Sequence, residues 1–334
     1  MDGKNMKRVT IYSVAHEAGV SLATFSRVIN GSPVVREDTR QKVQAAIAKL
    51  DYKPNAIAQG LALQKTTSIA LVLPESSFNY TGKVINGLLN VAKIYKYNIN
   101  LHTSTAGINE MNEIIENVIK SRMDGIIVYN DMLKSEELNN LKDYSIPIVY
   151  LGNKVEGESI CSVYIDVEKA VHDFVSDYLD RGLTNVALVE DRKNPLQMEF
   201  LTKGIEKAYK EHGLKFEGLI KIPAEYRTTY SYLKKYFAKN KHDLVIANRD
   251  TQAVAAMNSC MEAGLKVPED TEIFCMTDSK YNDIVRPRIS SLSIPNYDLG
   301  AVAMRIMTKM LNKDPIADKS IELSYLVTLR DTTK

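Results

Sequence analysis

A chain of 334 residues, 45% of them hydrophobic, is long enough for one small and one or two larger domains with real cores; its net charge of only +2 hides an uneven split, ten Lys and Arg against five acids over residues 1–65 and 33 against 36 over the rest. That split puts a polyanion partner at the N-terminal end, while the lack of any apolar run near the ~20 residues of a membrane helix and the polar opening MDGKNMKR speak against a membrane partner and a secretory signal. Cys161, Cys260 and Cys275 are widely spaced with no Cys-x-x-Cys, so the expectation is a cytoplasmic protein with reduced, buried thiols and no metal site.

From Val9 to Asn30, two short apolar-periodic segments flank Gly19-Val20-Ser21. Ile11, Val14, Ala15 and Ala18 recur at three- and four-residue spacing and share one helix face. Gly19 suits the left-handed residue that closes a helix, and Ser21 can cap the next one by accepting a hydrogen bond from the amide of Ala23 or Thr24. The second helix is predicted from Leu22 to about Ile29, with Phe25, Val28 and Ile29 turned inward. Leu22, Ala23, Thr24, Ser26 and Arg27 are left to meet something outside. Two readings fit: an ordinary helical hairpin, or a helix-turn-helix whose second helix enters the DNA major groove. A third helix, Glu37 to Leu50, presents Val43, Ala46, Ile47 and Leu50 to the same small core. Pro54 then stands where a helix start tolerates it, ahead of NAIAQGLA, a segment of barely two turns interrupted by Gly60 and marginal in water by itself.

Val9-Thr10-Ile11-Tyr12, Val14-Ala15, Glu17-Ala18-Gly19-Val20-Ser21, Ala23-Thr24, Ser26-Arg27-Val28 and Asn30-Gly31 resemble the N-terminal signature of the lac and galactose repressor family. The resemblance implies a homodimeric transcription regulator on a pseudo-palindromic operator. Leu22 and Ala23 would suit thymine methyls and Arg27 a guanine or a phosphate. Tyr12, Thr24, Ser26 and Asn30, with the capping Ser21, would hold phosphates and set register. It also implies that residues 54–65 are a hinge helix that orders on operator DNA, with Asn55 and Ala58 in it and Leu61 a wedge in the minor groove. Without the resemblance, the same segment reads as a plain linker.

Beyond Thr67 strand-like runs alternate with helical stretches: Ile69–Leu73, a helix Gly82–Tyr97, then Asn100–Thr103, Gly125–Tyr129 and Pro147–Leu151. A second series follows with Val163–Ile165, Val186–Glu190, Leu219–Ile222, Leu244–Ala247 and Glu272–Met276. Short connections between such runs indicate parallel sheets with helices on both faces. The end of the chain reads as a helix, Tyr297–Asn312, and a strand, Ile321–Leu329. The expected fold is therefore an all-α headpiece (residues 1–53), a hinge (54–65) and an α/β body (66–334). By the resemblance the body is a two-lobed periplasmic-binding-protein-like domain, with lobe 1 over about 66–163 and 296–322 and lobe 2 over about 164–295 and 323–334.

Catalytic signatures are missing: there is no GxGxxG after a strand, no GxxxxGK[ST], no HExxH and no GxSxG, and the five histidines are scattered. No catalytic residue or cofactor is expected. For the effector, sugar-responsive members of the family place an Arg-x-x-Gly-Phe motif at the cleft. The matching stretch here is Leu201-Thr202-Lys203-Gly204-Ile205, with Leu for Arg and Ile for the aromatic. A second family element, Asn-Asp, appears as Arg249-Asp250, and a third survives as Asp278. These three residues are the candidate cleft for a small sugar or phosphosugar. Arg286-Pro287, the run Tyr297 to Arg305, Thr308-Lys309 and the end Leu329 to Lys334 resemble a catabolite-control subgroup of the family in Gram-positive bacteria. In that subgroup the signal is a protein, the phosphocarrier HPr phosphorylated on a serine. The implied docking residues are Tyr297, Asp298, Ala301, Val302, Met304 and Lys309, with Arg305 and Arg330 gripping the phosphate through charge-assisted hydrogen bonds.

Overall fold

The computed structural model describes residues 9–29, 31–52, 66–74, 78–104, 108–129, 144–155, 157–192, 194–223 and 226–334. The chain divides into two compact units, Met1–Thr67 and Ser68–Lys334.

Among its described residues the first unit is built on three helices, α1 (Ile11–Glu17), α2 (Leu22–Ile29) and α3 (Glu37–Lys49). Thr10 starts α1 with a capping box: its hydroxyl accepts from the Ser13 amide at 3.4 Å, and the Ser13 hydroxyl accepts from the Thr10 amide at 3.4 Å. Gly19, at φ +65, ends it. The Val20 amide then reaches the Ala15 carbonyl and the Gly19 amide the His16 carbonyl, which satisfies two of the helix's last carbonyls. Val14, Ala15, Phe25, Val28, Val43, Ala46 and Tyr52 close the core, with Phe25 edge-on to Tyr52 at 5.9 Å. Ile11 departs from expectation at 39% exposure. It stands in the first turn of a seven-residue helix, and Val9, just ahead of the capping Thr10, packs on the core instead.

The second unit holds two six-stranded sheets. The first contains β1 (Ser68–Pro74), β2 (Asn98–Ser104), β3 (Gly125–Tyr129), β4 (Ile148–Gly152), β5 (Ile160–Tyr164) and β11 (Ser320–Glu322), in the order β11-β5-β4-β3-β1-β2 and parallel throughout. The second contains β6 (Val186–Val189), β7 (Leu219–Ile220), β8 (Leu244–Ala247), β9 (Glu272–Cys275), β10 (Ser290–Ser293) and β12 (Leu326–Thr328), in the order β12-β10-β9-β8-β6-β7, with β12 alone antiparallel among the pairings described. The helices among its described residues, in chain order, are α4 (Phe78–Tyr95), α5 (Ile108–Lys120), α6 (Val167–Asp180), α7 (Pro195–Glu211), α8 (Tyr226–Phe237), α9 (Asp250–Glu262), α10 (Lys280–Ile284) and α11 (Asn296–Asn312).

Strands covered on both faces read as unbroken apolar runs because alternate residues feed different cores. In β1, Ile69, Leu71 and Leu73 join one core while Ala70 and Val72 join another. In β6, Val186 and Leu188 likewise part from Ala187 and Val189. Two expectations are corrected here. The strand placed at Val163–Ile165 and counted with the second series is β5, which pairs with β4 from Ile148↔Ile160 to Gly152↔Tyr164 and so belongs to the first sheet. The single strand expected over Ile321–Leu329 is two, β11 and β12, one in each sheet. The break falls where the Leu323 amide donates to the Tyr164 carbonyl and the Leu323 side chain packs on the cores of both lobes.

Helices α4 and α11 approach through glycines. A Cβ on Gly300 would sit 1.9 Å from the Val84 carbonyl oxygen, and one on Gly87 would sit 1.9 Å from that of Tyr297. This contact fixes which face of α11 looks inward.

Candidate DNA-binding face and effector site

On α2 the predicted division holds. Phe25 and Val28 are buried, while Ser21, Leu22, Ala23, Ser26 and Arg27 are exposed. Ser21 caps the helix through the Thr24 amide, at 3.1 Å, and its hydroxyl also bonds that of Thr24 at 2.9 Å, so Thr24 is half-buried and partly committed within the turn. Tyr12, 66% exposed, projects from α1. The result is a rigid, capped helix with small and apolar residues in its first turn and a cation in its second. That is what groove entry needs: side chains short enough to let the backbone approach bases, and a guanidinium able to meet a base edge or phosphate. Asn30, Asn55, Ala58 and Leu61, and with them the hinge, lie outside the described residues.

The cleft residues proved to be tied within the chain. Asp191, buried just beyond β6, accepts from the side-chain amides of Asn194 at 2.8 Å and Asn248 at 2.9 Å and from the Arg249 guanidinium at 2.8 Å. The Arg249 Nε is buried without a hydrogen-bond partner among the described residues. Asp250, also buried, receives the Ser279 hydroxyl at 2.6 Å and the Thr251 amide at 2.6 Å, which fastens the start of α10 to α9. Asp278 accepts from the Ser291 hydroxyl at 2.7 Å and from Arg330 at 2.9 Å. Two residues that the sequence assigned to different sites are thus an ion pair.

That pair occupies Arg330 within the chain. Its side chain is 10% exposed; besides Asp278 its guanidinium reaches Asp283 at 2.9 Å, the Ile289 carbonyl at 3.0 Å and the Ser291 hydroxyl at 2.6 Å, and Nε and both terminal nitrogens are engaged. All these partners belong to the second lobe, whereas Arg305 is exposed on α11 beside the first sheet. Ala301 and Met304 are corrected: both are buried in the first lobe's core, on the side where α11 meets α4. What α11 offers outward is Tyr297, whose hydroxyl accepts from Asn90, and a stripe at helical spacing, Asp298, half-buried Val302, Arg305 and Lys309.

Burial raises the Cys260 thiol to about 12 and the Cys275 thiol to about 12, which disfavours the thiolate. No helix among the described residues is long and apolar enough to cross a membrane.

Comparison with known proteins accords with this architecture. Residues 10–55 match the model of bacterial regulatory proteins of the lacI family, and residues 175–333 match that of a periplasmic binding protein-like domain. Catabolite control protein A of Staphylococcus aureus (strain Mu50 / ATCC 700699) is 34% identical over 329 residues, covering 98% of this chain and 99% of its own. The chain belongs to the lacI family. The catabolite control protein A of Priestia megaterium is likewise 34% identical, over 332 residues and with the same coverage. Among solved structures, the lac repressor dimer bound to operator and the anti-inducer ONPF superposes with a TM-score of 0.85 over 98% of this chain and 99% of that one at 20% identity. The catabolite control protein A of Lactococcus lactis does so at 0.68 over 80% of this chain and 99% of that one, at 26% identity.

For a lacI-family chain, the position of the sugar-motif arginine is instructive. Leu201 is fully buried in the second lobe's core beside Ile205, while Gly204 survives because a Cβ there would meet the Glu168 carbonyl oxygen of α6 at 2.4 Å. At this stretch the chain carries the glycine that helix packing requires, between a buried Leu201 and a buried Ile205. Sequence reasoning missed Asp191, Asn194 and Asn248. The signal was a carboxylate straight after an apolar strand, where open α/β sheets present side chains to a crevice.

Proposed function

We propose that this lacI-family, catabolite-control-like transcription regulator works as a homodimer on a pseudo-palindromic operator, and that its signal is a protein docked on the outer face of α11. The outward stripe of Asp298, half-buried Val302, Arg305 and Lys309 with Tyr297 carries the reading: it offers an unburied guanidinium among polar and apolar neighbours on a helix. The partner that this chemistry fits is HPr phosphorylated on serine. A phosphate near −2 forms charge-assisted hydrogen bonds to Arg305 that an unmodified serine does not. Arg330 has no part in the contact, because its donors serve Asp278 and Asp283. A small sugar or phosphosugar in the cleft is the weaker reading, since Asp191, Asp250 and Asp278 already receive donors from the chain itself.

Calorimetric titration of the full chain with both forms of HPr tests this. Only the phosphorylated form should bind, and Arg305→Ala should remove that binding. No heat from either form would overturn the proposal. In parallel, Arg27→Ala should abolish operator retardation in a gel while leaving the oligomer intact; retention at wild-type affinity would remove α2 from the reading face.

A further inference from the structure

One apolar side chain of the second lobe is buried in the first. Helix α7 opens with Pro195 a few residues beyond β6, and Leu196 in its first turn is 1% exposed. It does not join the core of its own lobe. It clusters with Ala70, Val72, Met111, Tyr150 and Val155 of the first lobe. Phe200, one turn later, packs against the same cluster. Leu201 and Ile205 point the other way, into the second lobe's core. Helix α7 is therefore apolar on two faces, one for its own sheet and one for the opposite lobe. A buried surface helix needs only one such face, so the second calls for an explanation.

We propose that Leu196, backed by Phe200, is a built-in occupant of the inter-lobe cleft that holds the two lobes closed without a small ligand. Separating the lobes exposes Leu196 together with the first-lobe side chains it covers, and the hydrophobic effect opposes that exposure. On the polar side, Asp191 gathers Asn194, Asn248 and Arg249 into a local cluster. The closed arrangement then belongs to the chain itself, and control falls to what binds outside the cleft. This rests on the reading of the chain as a regulator whose signal docks on its outer face. The test below uses neither DNA nor partner, so its failure leaves that reading standing.

Hydrogen exchange on the full chain tests the proposal. Leu196→Ser should speed exchange in first-lobe residues 111–118 and 148–160 by about tenfold, because local protection follows the apolar contacts that keep a segment closed. Ile205→Val, a loss of volume on the opposite face of the same helix, should speed exchange only in the second lobe. If Leu196→Ser does not fold, Leu196→Ala gives the same comparison at smaller amplitude. Unchanged first-lobe exchange in the Leu196 variant, or equal first-lobe acceleration by Ile205→Val, would overturn the idea.

Discussion

Replacing Arg330 with Ala distinguishes a structural arginine from a docking arginine by stability alone. The guanidinium is 10% exposed and serves two carboxylates, a carbonyl and a hydroxyl. Truncation leaves Asp278 without its cation while Ser291 still donates to it, and leaves the Ile289 carbonyl one donor short. Removing one partner of a fully buried pair costs about 3–5 kcal/mol. Asp278 is 24% exposed and Asp283 61%, so water recovers part of that, and about 2–4 kcal/mol is the expected net cost. For a unit of this size that lowers the midpoint by roughly 5–12 °C. The chain has 18 tyrosines and no tryptophan, so far-ultraviolet dichroism is the convenient signal. Arg305→Ala, on an exposed helix face, should shift the midpoint by under about 2 °C, since surface substitutions stay within roughly 0.5 kcal/mol. Equal midpoints for the two variants would refute the assignment of Arg330 to the fold.

Gly300→Ala should destabilise the body by about 2–4 kcal/mol, because its Cβ would meet backbone rather than a movable side chain and so force α4 and α11 apart; a thermal midpoint within 1–2 °C of wild type, by the scaling of about 2–4 °C per kcal/mol, would contradict this. Ser21→Ala should cost the headpiece about 1 kcal/mol while Ser21→Gly costs only a few tenths, and equal costs in urea unfolding would show that the cap is not the cause. Burial holds the His242 imidazole below its ordinary 6.5, with Tyr236 and Asn185 at its two nitrogens, each at 2.8 Å. Its folded value lies below the unfolded one, so its stabilisation is complete above 6.5 and is lost as pH falls through the folded value. The Asp173 carboxylate first, then Glu211, raises His172 against some burial, and its contribution is complete below 6.5 and lost as pH rises through the folded value. An NMR titration should place the two on opposite sides of 6.5; the reverse order would remove these contacts as the cause.

The headpiece was legible because its signals are local. Glycine at a helix end, serine at a helix start and apolar residues at helical spacing act within a few residues of one another. The same holds for β1, β6 and β8, whose apolar runs follow from being covered on both faces. Strand β10 was not legible: Ser290-Ser291-Leu292-Ser293 has one apolar residue among serines and was not among the expected strands, and only the fold reveals that its hydroxyls meet Thr333, Asp278 and Arg330. Arg305 and Arg330 looked equivalent in the sequence. Their difference lies in carboxylates on distant segments, which no local pattern records. On α11, the outward stripe could have been separated from Ala301 and Met304 by spacing alone, had the contact with α4 been known.

Each sheet is completed by a strand from the far end of the chain: β11 closes the first and β12 the second, and Thr332 and Thr333 are buried beyond them. Neither lobe is a continuous stretch of polypeptide. The first lobe therefore cannot acquire its last strand until Glu322 has been made, nor the second until Thr328 has been made. A nonsense codon just ahead of Ser320 would strip an edge from both lobes at once, yet spare every residue of the helix-turn-helix.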